Sequence, residues 1–187
     1  MKIYITGGCK NGKSYYAQRA AKAQAQTRAL YYIATMQPYD ADDVQCIRRH
    51  WAARAGWGFT TIEQPLHILE IMERCEPSSS LLLDSVTALL ANEMFRQEQF
   101  YEEAGRQVAR ELHTLTAQFE NIVMVSDYIF SDAGRYTHKT ELYRRALAGI
   151  DAEMARCCDI VLEVVSSNIV YHKGEKLAEQ VRIKESL

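Results

Sequence analysis

The chain has 187 residues, 48% of them hydrophobic and 25% charged, and a formal net charge of −2; this suits one domain, residues 1–187, with a real core. The near-neutral balance, without a long basic run, argues against nucleic acid or an anionic membrane as main partner, and no stretch is long enough to span a bilayer. Nothing at the start resembles a signal peptide, and the five cysteines (Cys9, Cys46, Cys75, Cys157 and Cys158) lack metal-ligand spacing, so a cytoplasmic location is expected.

The β-branched and aromatic run Lys2 to Thr6 predicts a strand, and Tyr15 to Gln26, without Gly or Pro, predicts a helix. Between them, Gly7-Gly8-Cys9-Lys10-Asn11-Gly12-Lys13-Ser14 fits the phosphate-loop pattern GxxxxGK[ST] at every fixed position. Strand, glycine loop and helix stand in the order that gives the motif its meaning. Backbone N–H groups of such a loop, with a helix N-terminus behind them, suit phosphate oxygens. Lys13 would place a cation on the outer phosphates, and the Ser14 hydroxyl would reach a magnesium ion.

Ala29 to Ala34 predicts a second strand ending at Thr35, and Pro38 with Asp40 a turn. Asp40 to Arg54 predicts a helix with Asp40 as N-cap, on which Val44, Ile47 and Trp51 share a face. Gly56-Trp57-Gly58 breaks it, and Phe59 to Ile62 is extended, ending at Glu63. Pro65 opens a further helix to about Arg74. Leu81-Leu82-Leu83-Asp84 is a short apolar strand ending in an acid, the form of a Walker B segment, where Asp84 would hold magnesium through water.

Ser85 to Phe95 and Gln99 to Phe119 are helical in composition, Ile122 to Ser126 is a strand, and Thr140 to Cys157 a helix. Ile160 to Val165 and Ile169 to His172 form a closing hairpin, followed from Gly174 by a charged tail, a frayed helix or disordered. Strands alternating with helices predict an α/β protein: an open, mostly parallel sheet covered on both faces, with an antiparallel strand near the C-terminus. Ligand then belongs outside the carboxyl ends of the strands, where the glycine loop, Thr35 and Asp84 fall.

Several motifs add a family to this class. Thr6 to Ser14 forms a TGG…GKS loop, Tyr32 to Thr35 reads YIAT, and Asp42, Ile47, His50 and Arg54 make an acid, an isoleucine and an H-x-x-x-R element. Thr61-Ile62-Glu63, Leu81 to Asp84, Thr87 and Asn92 follow. In these the chain resembles the bifunctional adenosylcobinamide kinase and adenosylcobinamide-phosphate guanylyltransferase family of cobalamin biosynthesis. The resemblance implies a RecA-like P-loop fold, magnesium, GTP and/or ATP as substrates, a cobinamide substrate and a homotrimer. It implies phosphorylation of the aminopropanol hydroxyl, then transfer of GMP from GTP through a guanylylated histidine, by position His50. Nucleotide contacts would come from Gly7 to Ser14, from Ala34, Thr35 and Met36, from Trp51, Ala52, Ala53 and Arg54, and from Glu63 and Asp84.

The residues make chemical sense of these roles. A neutral imidazole, with an unperturbed pKa of about 6.5, is a good nucleophile near pH 7. Arg54, one turn beyond His50, would clamp phosphate oxygens. Glu63 would accept from the two neighbouring donors of guanine. On its own, however, His50 reads as a helix histidine beside Ile47 and Trp51, and Glu63 as a solvated strand end. The family's usual Asn-Glu-Val-Gly after the strand ending at Ser126 is here Asp127-Tyr128-Ile129-Phe130, its Gly-Arg-x-Asn-Gln element is Gly149-Ile150-Asp151-Ala152, and its arginine before the isoleucine is Cys46. Two other functions fit the same phosphate loop: a kinase of another small alcohol, or a nucleotide-binding regulatory module without turnover.

Overall fold

A computed structural model describes residues 1–38, 45, 47, 51, 52, 54–131 and 134–180. Among these residues seven strands form one sheet: β1 (Lys2–Gly7), β2 (Leu30–Ala34), β3 (Thr60–Glu63), β4 (Ser80–Asp84), β5 (Asn121–Val125), β6 (Ile160–Val165) and β7 (Asn168–Lys173). Their order is β3-β2-β4-β5-β1-β6-β7. The first six run parallel, and β7 returns antiparallel along β6. This is the mostly parallel α/β sheet with a closing antiparallel strand that the sequence predicts.

The central strands β4 and β5 read as nearly continuous apolar runs because both faces are covered. Alternate side chains sort to opposite sides. Tyr4, Leu81, Leu83, Ile122 and Met124 pack on one face with helices α2 (Val86–Met94), α3 (Ala104–Gln118) and α4 (His138–Cys157). Ile3, Ile5, Leu82, Val123 and Val125 face the other way, onto α1 (Lys13–Ala25). There the buried apolar side chains of α1 are the small Ala17, Ala20, Ala21 and Ala25, so its backbone lies close on the sheet.

Two sequence expectations change. The helix expected from Pro65 is a short 3-10 segment, Ile68–Glu73. His67 before it is held in the left-handed region at φ 52° while its N–H donates to Glu93 Oε1 at 2.7 Å, which prevents a helix from starting at Pro65. The helix expected from Gln99 begins at Ala104, because a 3-10 turn at Arg96–Glu98, with Gln97 and Glu98 at positive φ, comes before it. In the charged tail, Glu175–Gln180 forms helix α5, seated by the buried Ala178; residues 181–187 lie outside the described residues. No helix among the described residues is long and apolar enough to cross a membrane.

Candidate nucleotide site

The glycine loop leaves β1 at Gly7, whose φ of +146° and contact with β6 leave no room for a side chain: a Cβ there would overlap the Val164 carbonyl oxygen. Gly12, at φ 87°, precedes α1 as its N-cap. Between them the loop is pinned by Asn11 Nδ2, which donates to Val164 O at 3.2 Å, and by Gly7 O, which accepts from Tyr128 N at 2.9 Å. Gly8, Cys9, Lys10 and Asn11 thus span β1 and α1 with Cys9 and Lys10 exposed.

Lys13 and Ser14 open α1 and turn to different partners. Lys13, 6% exposed, donates from Nζ to Gly8 O at 2.6 Å and pairs with Asp127 Oδ1 at 2.8 Å. Ser14 Oγ donates to Asp84 Oδ2 at 3.1 Å, and the Tyr32 hydroxyl donates to the same oxygen at 2.8 Å. A hydroxyl and a carboxylate side by side are hard oxygen donors suited to magnesium. Among the described residues no three His, Cys, Asp or Glu side chains gather as a metal cluster. Magnesium takes six ligands, so Ser14 and Asp84 would leave most of its shell to phosphate oxygens and water.

The other expected contacts lie along the same edge. Glu63, Ala34, Asp84 and Val125 stand in one row of register across β3, β2, β4 and β5. Glu63 is exposed at the sheet edge, two strand spacings or about 10 Å from Asp84. Thr35 is fully buried, and its polar groups are paired inside the protein. Its hydroxyl donates to Ser85 O and accepts from Ser85 N, both at 2.7 Å, its N–H donates to Asp84 O, and its carbonyl accepts from Asn92. It holds the ends of β2 and β4 in register. Ala34 and Met36 on either side remain partly exposed.

Trp51 and Ala52 are exposed, whereas Arg54 is buried with its guanidinium 3.5 Å from the centre of the Tyr32 ring. Burial pulls the Arg54 pKa down, while Tyr32 and Asp84 pull it up. Arg54 Nη1 is buried and has no hydrogen-bond partner among the described residues. Arg54, Tyr32 and Asp84 thus form a chain of contacts to Ser14. His50 and Ala53 lie outside the described residues, as do Asp40, Asp42, Val44 and Cys46.

Two participants stand outside the set that the sequence motifs single out. In sequence Tyr32 is only part of the YIAT motif; its role as partner of Asp84 comes from the fold. Asp127 is an acid two residues past the apolar strand β5, a signal of the same kind as Asp84 at the end of β4.

Comparison with known proteins gives this geometry a context. Residues 3–170 match the family described as cobinamide kinase / cobinamide phosphate guanyltransferase. The bifunctional adenosylcobalamin biosynthesis protein CobU of Escherichia coli (strain K12) is 24% identical over 178 residues, covering 89% of this chain and 96% of that protein. Among solved structures, a Pyrococcus horikoshii OT3 protein is similar in fold alone, with TM-score 0.51 and 8% identity over 93% of this chain and 86% of that one. A KaiC-like protein from the same organism has TM-score 0.49 and 16% identity, over 94% and 79%.

Proposed function

The chain belongs to the cobinamide kinase / cobinamide phosphate guanyltransferase family, and on that premise we propose that it carries out both reactions in cobalamin biosynthesis. It phosphorylates the aminopropanol hydroxyl of adenosylcobinamide, then transfers GMP from GTP to the new phosphate through a guanylylated His50. The observation that carries this reading is the convergence of Lys13, Ser14 and Asp84 at the carboxyl edge of the sheet, with Ser14 Oγ 3.1 Å from Asp84 Oδ2.

In this reading the N–H groups from Gly7 to Ser14 cradle the triphosphate, and Lys13 leaves its protein partners for the outer phosphates. Ser14 and Asp84 would hold magnesium, Asp84 through water; when bound, the ion supplies positive charge at the leaving phosphate oxygens. The unpartnered Nη1 of Arg54 would find its acceptor in a phosphate oxygen, and its stacking on Tyr32 aims the guanidinium. Glu63, exposed at the edge strand, reads the guanine donors, with Trp51, Ala52, Ala53, Ala34 and Met36 flanking the nucleoside. His50 attacks the α-phosphorus of GTP, pyrophosphate leaves, and the cobinamide phosphate then takes GMP from the histidine. The chain works as one domain in a cytoplasmic homotrimer.

The test is to incubate the protein with adenosylcobinamide, GTP and magnesium and to resolve the products. Both the phosphorylated and the GMP-linked cobinamide should form, and the absence of both overturns the reading. One observation favours a second account, a kinase of another small alcohol. Tyr128 and Ile129, which replace the family's usual residues, line a cavity beside the loop. Phosphorylation of other amino alcohols but not of the cobinamide would select that account.

A further inference from the structure

We infer that Asp127 is the carboxylate that takes the proton from the phosphoryl acceptor's hydroxyl, and that the cavity beside it seats the hydroxyl-bearing arm of that acceptor. The inference rests on the kinase half of the proposed function and adds to it a residue and a place.

The position of Asp127 follows from the sheet order. Strand β5 lies between β1, which feeds the glycine loop, and β4, which ends at Asp84. Asp127, the second residue past its end, therefore emerges beside the loop. Asp127 is reached there by Lys13 Nζ at 2.8 Å, with its side chain 34% exposed. Its backbone is fixed on both sides: Asp127 N donates to Thr87 Oγ1 at 2.7 Å, and Tyr128 N donates to Gly7 O at 2.9 Å. The carboxylate is thus carried by a clamped main chain, one oxygen held by Lys13 and the side chain about one-third exposed.

The chain then runs straight into a cavity of about 360 Å³ lined by Tyr128, Ile129, Tyr136, Thr140, Tyr143 and Arg144. That volume is at the low end for small-molecule pockets, about 300–1,000 Å³, and suits a short hydroxyalkyl arm rather than a whole macrocycle. Tyr143 links cavity and carboxylate: its hydroxyl donates to Thr87 O at 3.1 Å, on the residue whose side chain holds the Asp127 N–H. Burial raises the Tyr143 pKa, and the nearby charges of Asp127 and Asp151 add to the rise. The aromatic walls would grip the apolar part of the arm and direct its hydroxyl toward the loop.

Without nucleotide, Lys13 neutralises Asp127. A bound triphosphate competes for the same ammonium group, and as Lys13 turns to the outer phosphates the carboxylate is released as a base. The acceptor oxygen then forms a bond to the γ-phosphorus, and the bond from that phosphorus to the β–γ bridging oxygen breaks. The electron pair stays on the departing nucleoside diphosphate, and the hydroxyl proton passes to Asp127 and on to solvent.

Asp127→Asn keeps the shape and removes the basicity. With adenosylcobinamide and GTP, single-turnover phosphoryl transfer should fall about 10²-fold or more, while GTP binds as tightly as to wild type or more so, because a competitor for Lys13 has gone. Asp127→Glu should recover part of the rate. Wild-type transfer in Asp127→Asn overturns the inference and leaves the proposed function standing. A GTP affinity lowered in proportion to the rate assigns Asp127 to loop structure and also overturns it. Wild-type protein that forms no phosphorylated cobinamide overturns the proposed function, and this inference with it.

Discussion

The Ser14 hydroxyl, on the helix that follows β1, donates to Asp84 Oδ2 at 3.1 Å although β5 lies between β1 and β4. The first turn of α1 leans over the end of β5 to make this contact, and Tyr32 reaches the same oxygen from β2 at 2.8 Å. Two donors on one carboxylate oxygen fix its direction before any ligand arrives.

Asp84→Asn separates that positioning from charge. The amide oxygen can still accept from Ser14 and Tyr32, so the fold should persist while the site loses its anion for a metal. Magnesium should then strengthen GTP binding less than in wild type, by about tenfold or ~1.4 kcal/mol. Titrating GTP with and without magnesium measures this, and an undiminished magnesium effect would remove Asp84 from the metal site.

Lys13→Ala removes the cation expected on the outer phosphates and leaves Asp127 facing the loop without its 2.8 Å partner. The transition state for phosphoryl transfer should lose roughly 3 kcal/mol, the scale of one well-placed electrostatic donor. Steady-state kinetics with GTP and adenosylcobinamide provide the measurement. Turnover and GTP affinity equal to wild type would rule out the role given to this lysine.

The strands and the glycine loop were legible because their signals are local. Leu81-Leu82-Leu83 is apolar on every residue since both faces of β4 are buried, and the spacing from Gly7 to Ser14 is a fixed pattern. What escaped depends on partners far away in sequence. The backbone at His67 is set by Glu93 on another element, so Pro65 alone misplaced a helix start. The pairing of Lys13 with Asp127 depends on β5 entering the sheet between β4 and β1, an order that no local periodicity records. Tyr32 likewise becomes the partner of Asp84 only once β2 and β4 pair, with Ala34 opposite Asp84.

Asp151 yields a prediction about stability and pH. It accepts from the Tyr4 hydroxyl at 2.5 Å and the Ser126 hydroxyl at 2.9 Å, both on Oδ1. Burial raises its carboxyl above the usual range; the two hydrogen bonds work against that rise, and the charge of Asp127 adds to it. A raised native pKa means that the folded chain binds this proton more tightly than the unfolded one. The stabilisation is therefore complete below the unfolded value, about 3.9, and is lost as pH rises through the folded value. Asp151→Asn keeps an acceptor for both hydroxyls and should lack this pH dependence, gaining on wild type as pH rises. Asp151→Ala strands both hydroxyls and should cost about 1–3 kcal/mol. Urea denaturation from pH 4 to 8 compares the three, and parallel profiles for wild type and Asp151→Asn would refute the assignment.

His50 carries the sharpest prediction about chemistry. It stands four residues before Arg54, one helical turn by sequence spacing, at the position the family resemblance gives to the guanylylated histidine. Arg54 itself is buried against Tyr32, whose hydroxyl bonds Asp84. Protein incubated with magnesium and GTP labelled at the α-phosphate should keep GMP after denaturation. The linkage should be a phosphoramidate, labile in acid and stable in base. His50→Ala should abolish the label, while phosphorylation of the cobinamide hydroxyl, which needs only the loop, the metal and the acceptor base, should continue. If wild-type protein binds GTP but retains no covalent GMP, the guanylyl transfer does not pass through this histidine, and the chain is better described as a kinase alone.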